Sequence, residues 1–83
     1  MFKQYQQVEL THEMLSDDFV DEVVPMKEGQ PGVILEIYTR PGTPNGYDVE
    51  FFDNDHNTVA VMIVEAKDIR PRTKKTNRSK SKV

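Results

Sequence analysis

Cysteine is missing from this 83-residue chain. Without it there is no disulfide framework, no thiolate metal site and no thiol nucleophile, and the chain suits a reducing, cytoplasmic compartment. The longest uncharged apolar run, Thr58 to Val64, is far shorter than the roughly 20 residues that span a bilayer. The first residues lack the basic-then-apolar pattern of a signal peptide, so a soluble protein with no membrane partner is expected. Acids are missing from one region only. Residues 72–83 carry six basic residues and no acid, whereas residues 1–71 carry five basic residues against all fourteen acids, a net charge of −9. An acidic body repels phosphates and attracts basic protein surfaces, and a basic tail does the reverse.

What the chain has in quantity is β-branched and aromatic residues in short runs. Gly32 to Tyr38, Tyr47 to Phe52 and Thr58 to Val64 read as three strands, because Val, Ile, Phe and Tyr fit a pleated, half-buried surface. The breaks between them are too short for crossover helices, so the runs form an antiparallel meander. Residues 5–10 give a short first strand with Val8 and Leu10 on one face. Ile69-Arg70 gives a closing strand that Pro71 ends, after a 3₁₀ turn over Glu65 to Asp68. Gln30-Pro31-Gly32-Val33 suits a turn with positive φ at Gly32. Asp53 to Asn57 suits a hairpin turn in which Asn and Asp satisfy their own backbone.

Residues 11–28 are acidic, with Asp17, Asp18 and Asp21 at their centre and Phe19, Val20, Val23 and Val24 interspersed. Ser16 can cap a helix to Val24, but the β-branched residues and Pro25 oppose one. An irregular loop anchored by Leu15 and Phe19 is expected. The fold class is therefore all-β: a small five-stranded SH3-like barrel over residues 1–71, with a long acidic loop after strand 1 and a disordered basic tail over 72–83. The expected core is Val8, Leu10, Val33, Leu35, Ile37, Val49, Phe51, Val59, Val61, Ile63 and Ile69. Ile34, Tyr38, Phe52, Ala60 and Met62 are then expected to point outward.

Val8-Glu9-Leu10-Thr11, Pro31 to Tyr38, Tyr47 to Phe51 and Asp68-Ile69-Arg70-Pro71 together resemble the bacterial domain of unknown function 4926 family. The resemblance covers about residues 2–71. It implies an SH3-like module and supplies no catalytic residues. Some members are partners of toxin-like domains, which implies an antitoxin or immunity-type role.

No complete catalytic or metal constellation is legible. Asp53, Asp55 and Asn57 begin a calcium-loop pattern, but Thr58 stands where Gly is needed and Val64 where a bidentate Glu is needed. His12-Glu13 begins a zinc-protease motif whose second His falls at Ser16. Glu36, Glu50 and Glu65 are accounted for as outward strand residues, so no enzyme, no cofactor and no small-molecule substrate are expected.

The outward apolar residues are either covered by residues 11–28 and the N-terminus or open for binding. Tyr5, Tyr38, Tyr47, Phe51 and Phe52 can stack bases, but Glu36, Asp48, Glu50 and Asp53 flank them with the wrong charge. The expected function is a non-enzymatic protein-interaction module that binds a basic protein, with Asp17, Asp18, Asp21, Ile34, Tyr38, Phe52 and Met62 as contacts. The alternative is a nucleic-acid-associated accessory protein using Arg72, Lys74, Lys75, Arg78, Lys80 and Lys82.

Overall fold

In a computed structural model of the chain, the structure describes residues 2–16 and 23–73. Among these the regular structure is almost entirely β. Strands β1 (Gln7–Leu10), β4 (Pro31–Tyr38), β5 (Gly46–Phe52), β6 (Thr58–Glu65) and β7 (Ile69–Pro71) form one sheet, and β2 (Met14–Leu15) pairs with β3 (Pro25–Met26) in a second. The five-stranded sheet runs β6-β5-β4-β1-β7, with every pairing antiparallel. The meander sits where the three β-branched runs place it. A 3₁₀ turn, Ala66–Asp68, links β6 to β7, and the amide of Glu65, which precedes it, donates to the Asp68 carboxylate at 3.0 Å.

Two expectations about architecture need correction. The sheet is not closed into a barrel: β6 and β7 are its two edges and do not pair with each other. β7 itself ends after three residues at Pro71, which has no amide hydrogen. The described residues of the stretch after β1 also contain a strand pair. Met14 pairs with Met26 and Leu15 with Pro25. Ser16 closes this hairpin from a buried position: its amide donates to the Val24 carbonyl (2.8 Å) and its hydroxyl accepts the Val24 amide (2.9 Å). Met26 is the residue that enters the core, while Leu15 is 63% exposed and anchors nothing. Phe19, Asp17, Asp18, Asp21 and the tail beyond Thr73 lie outside the described residues.

The core consists of Val8, Leu10, Met26, Ile34, Tyr47, Val49, Phe51, Ala60, Val64 and Ile69, with Phe2, Met14, Ile37, Val59 and Met62 packed against it. Directly paired residues share a face of a sheet, so register explains the membership. Val49 pairs with Ile34 and Met62, Phe51 with Gly32 and Ala60, and Tyr47 with Ile37 and Val64. Gly32 has room for no side chain, because a Cβ there would lie 2.7 Å from Val49 Cγ1 and 2.9 Å from both Phe51 Cδ1 and the Glu50 carbonyl.

The inward residues expected on β1, β5 and β7 are buried; those on β4 and β6 are largely reversed. Ile34 and Ala60 are buried and Met62 packs against the core, whereas Val61 and Ile63 are exposed and Val33 and Leu35 are only partly covered. The cause is a register shift in each ladder, between Ile34 and Glu36 against β5 and between Phe51 and Phe52 against β6. An extra residue reverses the alternation of side chains. Hence Ile37 faces in beyond one irregularity and Ile34 before it, while Val59 contacts the core at one end of β6 and Ala60, Met62 and Val64 fill it thereafter. Gln4 Nε2 donates to the Leu35 carbonyl at 3.0 Å, satisfying an acceptor inside the β4 irregularity.

The turn into β4 also lies earlier than expected. Pro31 and Gly32 already belong to the strand. The turn spans Lys27 to Gln30, whose amide donates to the Lys27 carbonyl at 3.0 Å, and Gly29 supplies the positive φ of 87°.

Candidate functional site

The outer face of β4, β5 and β6 exposes three large apolar side chains on adjoining strands. Val61 is 44% exposed, Tyr38 48% and Ile63 60%. Strand pairing interleaves them with acids: Glu50 stands between Val33 and Val61, Asp48 between Glu36 and Ile63, and Gly46 between Tyr38 and Glu65. Gly46 lets the apolar residues converge, since a Cβ there would lie 3.1 Å from Ile63 Cγ2 and 3.9 Å from Tyr38 Cβ. The Thr58 hydroxyl donates to Glu50 and holds that carboxylate on this face.

Beside this patch a groove of about 600 Å³ is lined by Gln7, Pro31, Val33, Phe52, His56 and Arg72, among others. Its rim is the β5–β6 turn. Asp53 Oδ1 accepts the amides of Asp55 (2.8 Å) and Asn57 (2.9 Å), and these bonds hold its carboxyl below the usual range. The calcium-loop spacing is thus an ordinary hairpin turn, with the left-handed position taken by His56 (φ 67°).

Of the expected contact residues, Tyr38 is exposed and the half-buried Phe52 lines the groove. Ile34 and Met62 are corrected: Ile34 is buried in the core and the partly buried Met62 packs against it, both on the inner side. The five aromatic stacking candidates are not brought together either. Tyr47 and Phe51 are buried, and Phe2 packs edge-on to Tyr47 with ring centroids 5.3 Å apart. Arg72 makes a 3.8 Å ion pair with Glu9, which also accepts Arg70 Nε at 2.7 Å. Arg72, the one tail charge among the described residues, is therefore within ion-pair distance of the body.

A second cluster gave no signal in the sequence. His12 Nε2 lies 2.8 Å from Asp68 Oδ1, and Nδ1 lies 2.9 Å from the Glu13 carbonyl. Both ring nitrogens face acceptors, which favours the doubly protonated ring, and the Asp68 carboxylate first, then the Glu13 carbonyl, raise the His12 pKa above 6.5. Burial pushes the Asp68 carboxyl up, but the Glu65 amide and His12 outweigh it and leave the group below 3.8.

His12 therefore contributes stability that is fully present below its unfolded value and is lost as pH rises through its raised folded value. Asp68 contributes stability present above its unfolded value and lost as pH falls through its lowered one. The pair acts fully between about pH 4 and pH 6.5. Melting temperatures of the wild type should fall from pH 6 to pH 8 relative to His12→Gln. Parallel curves for the two proteins would show that the contact carries no protonation-linked stability.

No helix among the described residues is long and apolar enough to cross a membrane. The family model named Domain of unknown function (DUF4926) matches residues 5–71. No curated protein and no solved structure matches the chain.

Proposed function

We propose, for a chain that belongs to the Domain of unknown function 4926 family, a non-enzymatic protein-interaction module whose outer β4–β5–β6 face receives a basic protein. The observation that carries this reading is the exposed trio Tyr38, Val61 and Ile63 set among Glu36, Asp48 and Glu50. Exposed apolar side chains set among charges of one sign suit a contact with a partner of opposite charge. A net charge of −9 over residues 1–71 favours basic partners and speeds their encounter. The strand order, the excursion after β1 and the 3₁₀ turn before β7 support an SH3-like arrangement of the open sheet. Pairing with a basic toxin, as an antitoxin or immunity protein does, is the specific form of the reading that the charge fits best.

Capture from an extract of the source cells, with Tyr38→Ala/Ile63→Lys run beside the wild type, tests it. The wild type should retain a basic protein that the folded double variant releases. Equal capture by both proteins would remove this face from the function.

A further inference from the structure

The two edges of the sheet are finished differently. β7 has three residues, carries Arg70 bonded to Glu9, and ends in a proline. β6 has eight, and from Thr58 to Val64 holds neither a charge nor a proline. An edge strand presents unpaired amide and carbonyl groups, and charge, proline or shortness normally protects it. β7 has all three protections, and β6 has neither charge nor proline between Thr58 and Val64. Among the described residues no backbone group of another segment pairs with the open side of β6.

The side chains along this edge specify what fits. Val61 is exposed on the outer face with Glu50 directly behind it on β5, and Ile63 likewise with Asp48 behind it. An apolar residue backed by a carboxylate matches a lysine or arginine, whose methylene stem lies on apolar surface while its head reaches a charge. Two such units, two residues apart on the strand, match basic side chains at alternate positions of an added strand, because alternate residues share a face.

We propose that β6 is a strand-addition site for an extended basic segment of the partner, with Lys or Arg at alternate positions. The main chain of that segment continues the ladder beyond β6, its stems cover Val61 and Ile63, and its heads meet Glu50 and Asp48. This rests on the outer face being the partner surface and adds the mode of recognition. A second copy of the chain is a poorer occupant, because two bodies at −9 each repel. Arg78, Lys80 and Lys82 alternate in the chain's own sequence, so the test includes them.

Backbone amide exchange over Thr58 to Glu65 is measured on the full chain with the heptapeptide Lys-Thr-Lys-Thr-Lys-Thr-Lys. Two forms N-methylated on odd or on even residues, and the Glu-for-Lys peptide, serve as comparisons. The basic peptide should slow exchange of β6 amides by about tenfold or more at saturation. One methylated form should lose this effect and the other keep it, since only alternate amides of the added strand face β6. The acidic peptide should not bind, and Asp48→Asn/Glu50→Gln should weaken the basic peptide by about tenfold.

Equal binding by both methylated forms, or binding that leaves β6 exchange unchanged, would overturn strand addition while leaving the outer face as a partner surface. Failure of the peptide together with partner capture indifferent to Tyr38 and Ile63 would remove both readings. Two further results overturn the proposal: β6 protection that rises with protein concentration in the absence of peptide assigns the edge to a second copy, and protection lost in Arg78→Gln/Lys80→Gln/Lys82→Gln assigns it to the tail.

Discussion

Ile34→Asp is expected to unfold the domain, and Val61→Asp to leave it folded. Ile34 is fully buried and pairs with Val49 across β5, in the same row as Met62. An unpaired carboxylate placed there costs about 4 kcal/mol or more, a large part of the roughly 5–15 kcal/mol that holds a domain together. Val61 is 44% exposed, so an aspartate at that position stays hydrated. Its main costs are a lost β-branched side chain and the like charge of Glu50 directly opposite, together about 1 kcal/mol. Urea denaturation followed by far-UV circular dichroism should show a cooperative transition for Val61→Asp and none for Ile34→Asp. The reverse order would place Val61 in the core and Ile34 outside.

Salt should separate the tail from the body just as sharply. Residues 1–71 carry −9 and should not hold DNA or RNA, whereas the five basic residues after Arg72 can neutralise phosphates and release counterions. Full engagement of those five charges on duplex DNA gives a log-log salt slope approaching about −4.5. Between 50 and 200 mM salt that is a fall in affinity of about 500-fold. Titration of labelled duplex with the full chain and with a chain ending at Pro71 measures it. Arg72 also lies 3.8 Å from Glu9, a pair that salt screens in turn. Sequence-selective binding by the shorter chain would make the sheet itself a nucleic-acid surface and displace the protein-partner reading.

Strand positions were legible in the sequence because their limits are set by local chemistry. Pro41-Gly42 and Pro44-Asn45 bound β4 and β5, Asp53 closes its own turn, and Pro71 stops β7. The inward face of β5 was equally plain, since Tyr47, Val49 and Phe51 alternate with Asp48 and Glu50. β4 and β6 offer no such contrast. Val33-Ile34-Leu35 and Val59 to Val64 are apolar at every position, so the pattern admits either face, and the irregularity that fixes it depends on pairing with β5. The exposed surface differs from the one the pattern implies for the same reason: reversing β6 turns Met62 inward and exposes Val61 and Ile63. A strand apolar on both faces was the available signal, because in a sheet that packs its core on one side the other face must meet solvent or a partner. The His12–Asp68 contact joins residues 56 positions apart through the 3₁₀ turn, and neither residue has a sequence neighbour that announces it.

The absence of cysteine makes the central assignment directly measurable, since any introduced thiol is the only one in the chain. Ile63→Cys, labelled with a maleimide alone and in the presence of the captured basic partner, reads both the exposure of this face and its occupation. The expected result is labelling near the rate of an unstructured thiol in the isolated protein and at least about tenfold slower labelling in the complex. Slow labelling in the isolated protein, or an unchanged rate in the complex, would contradict the assignment of Tyr38, Val61 and Ile63 as an open surface that a partner covers.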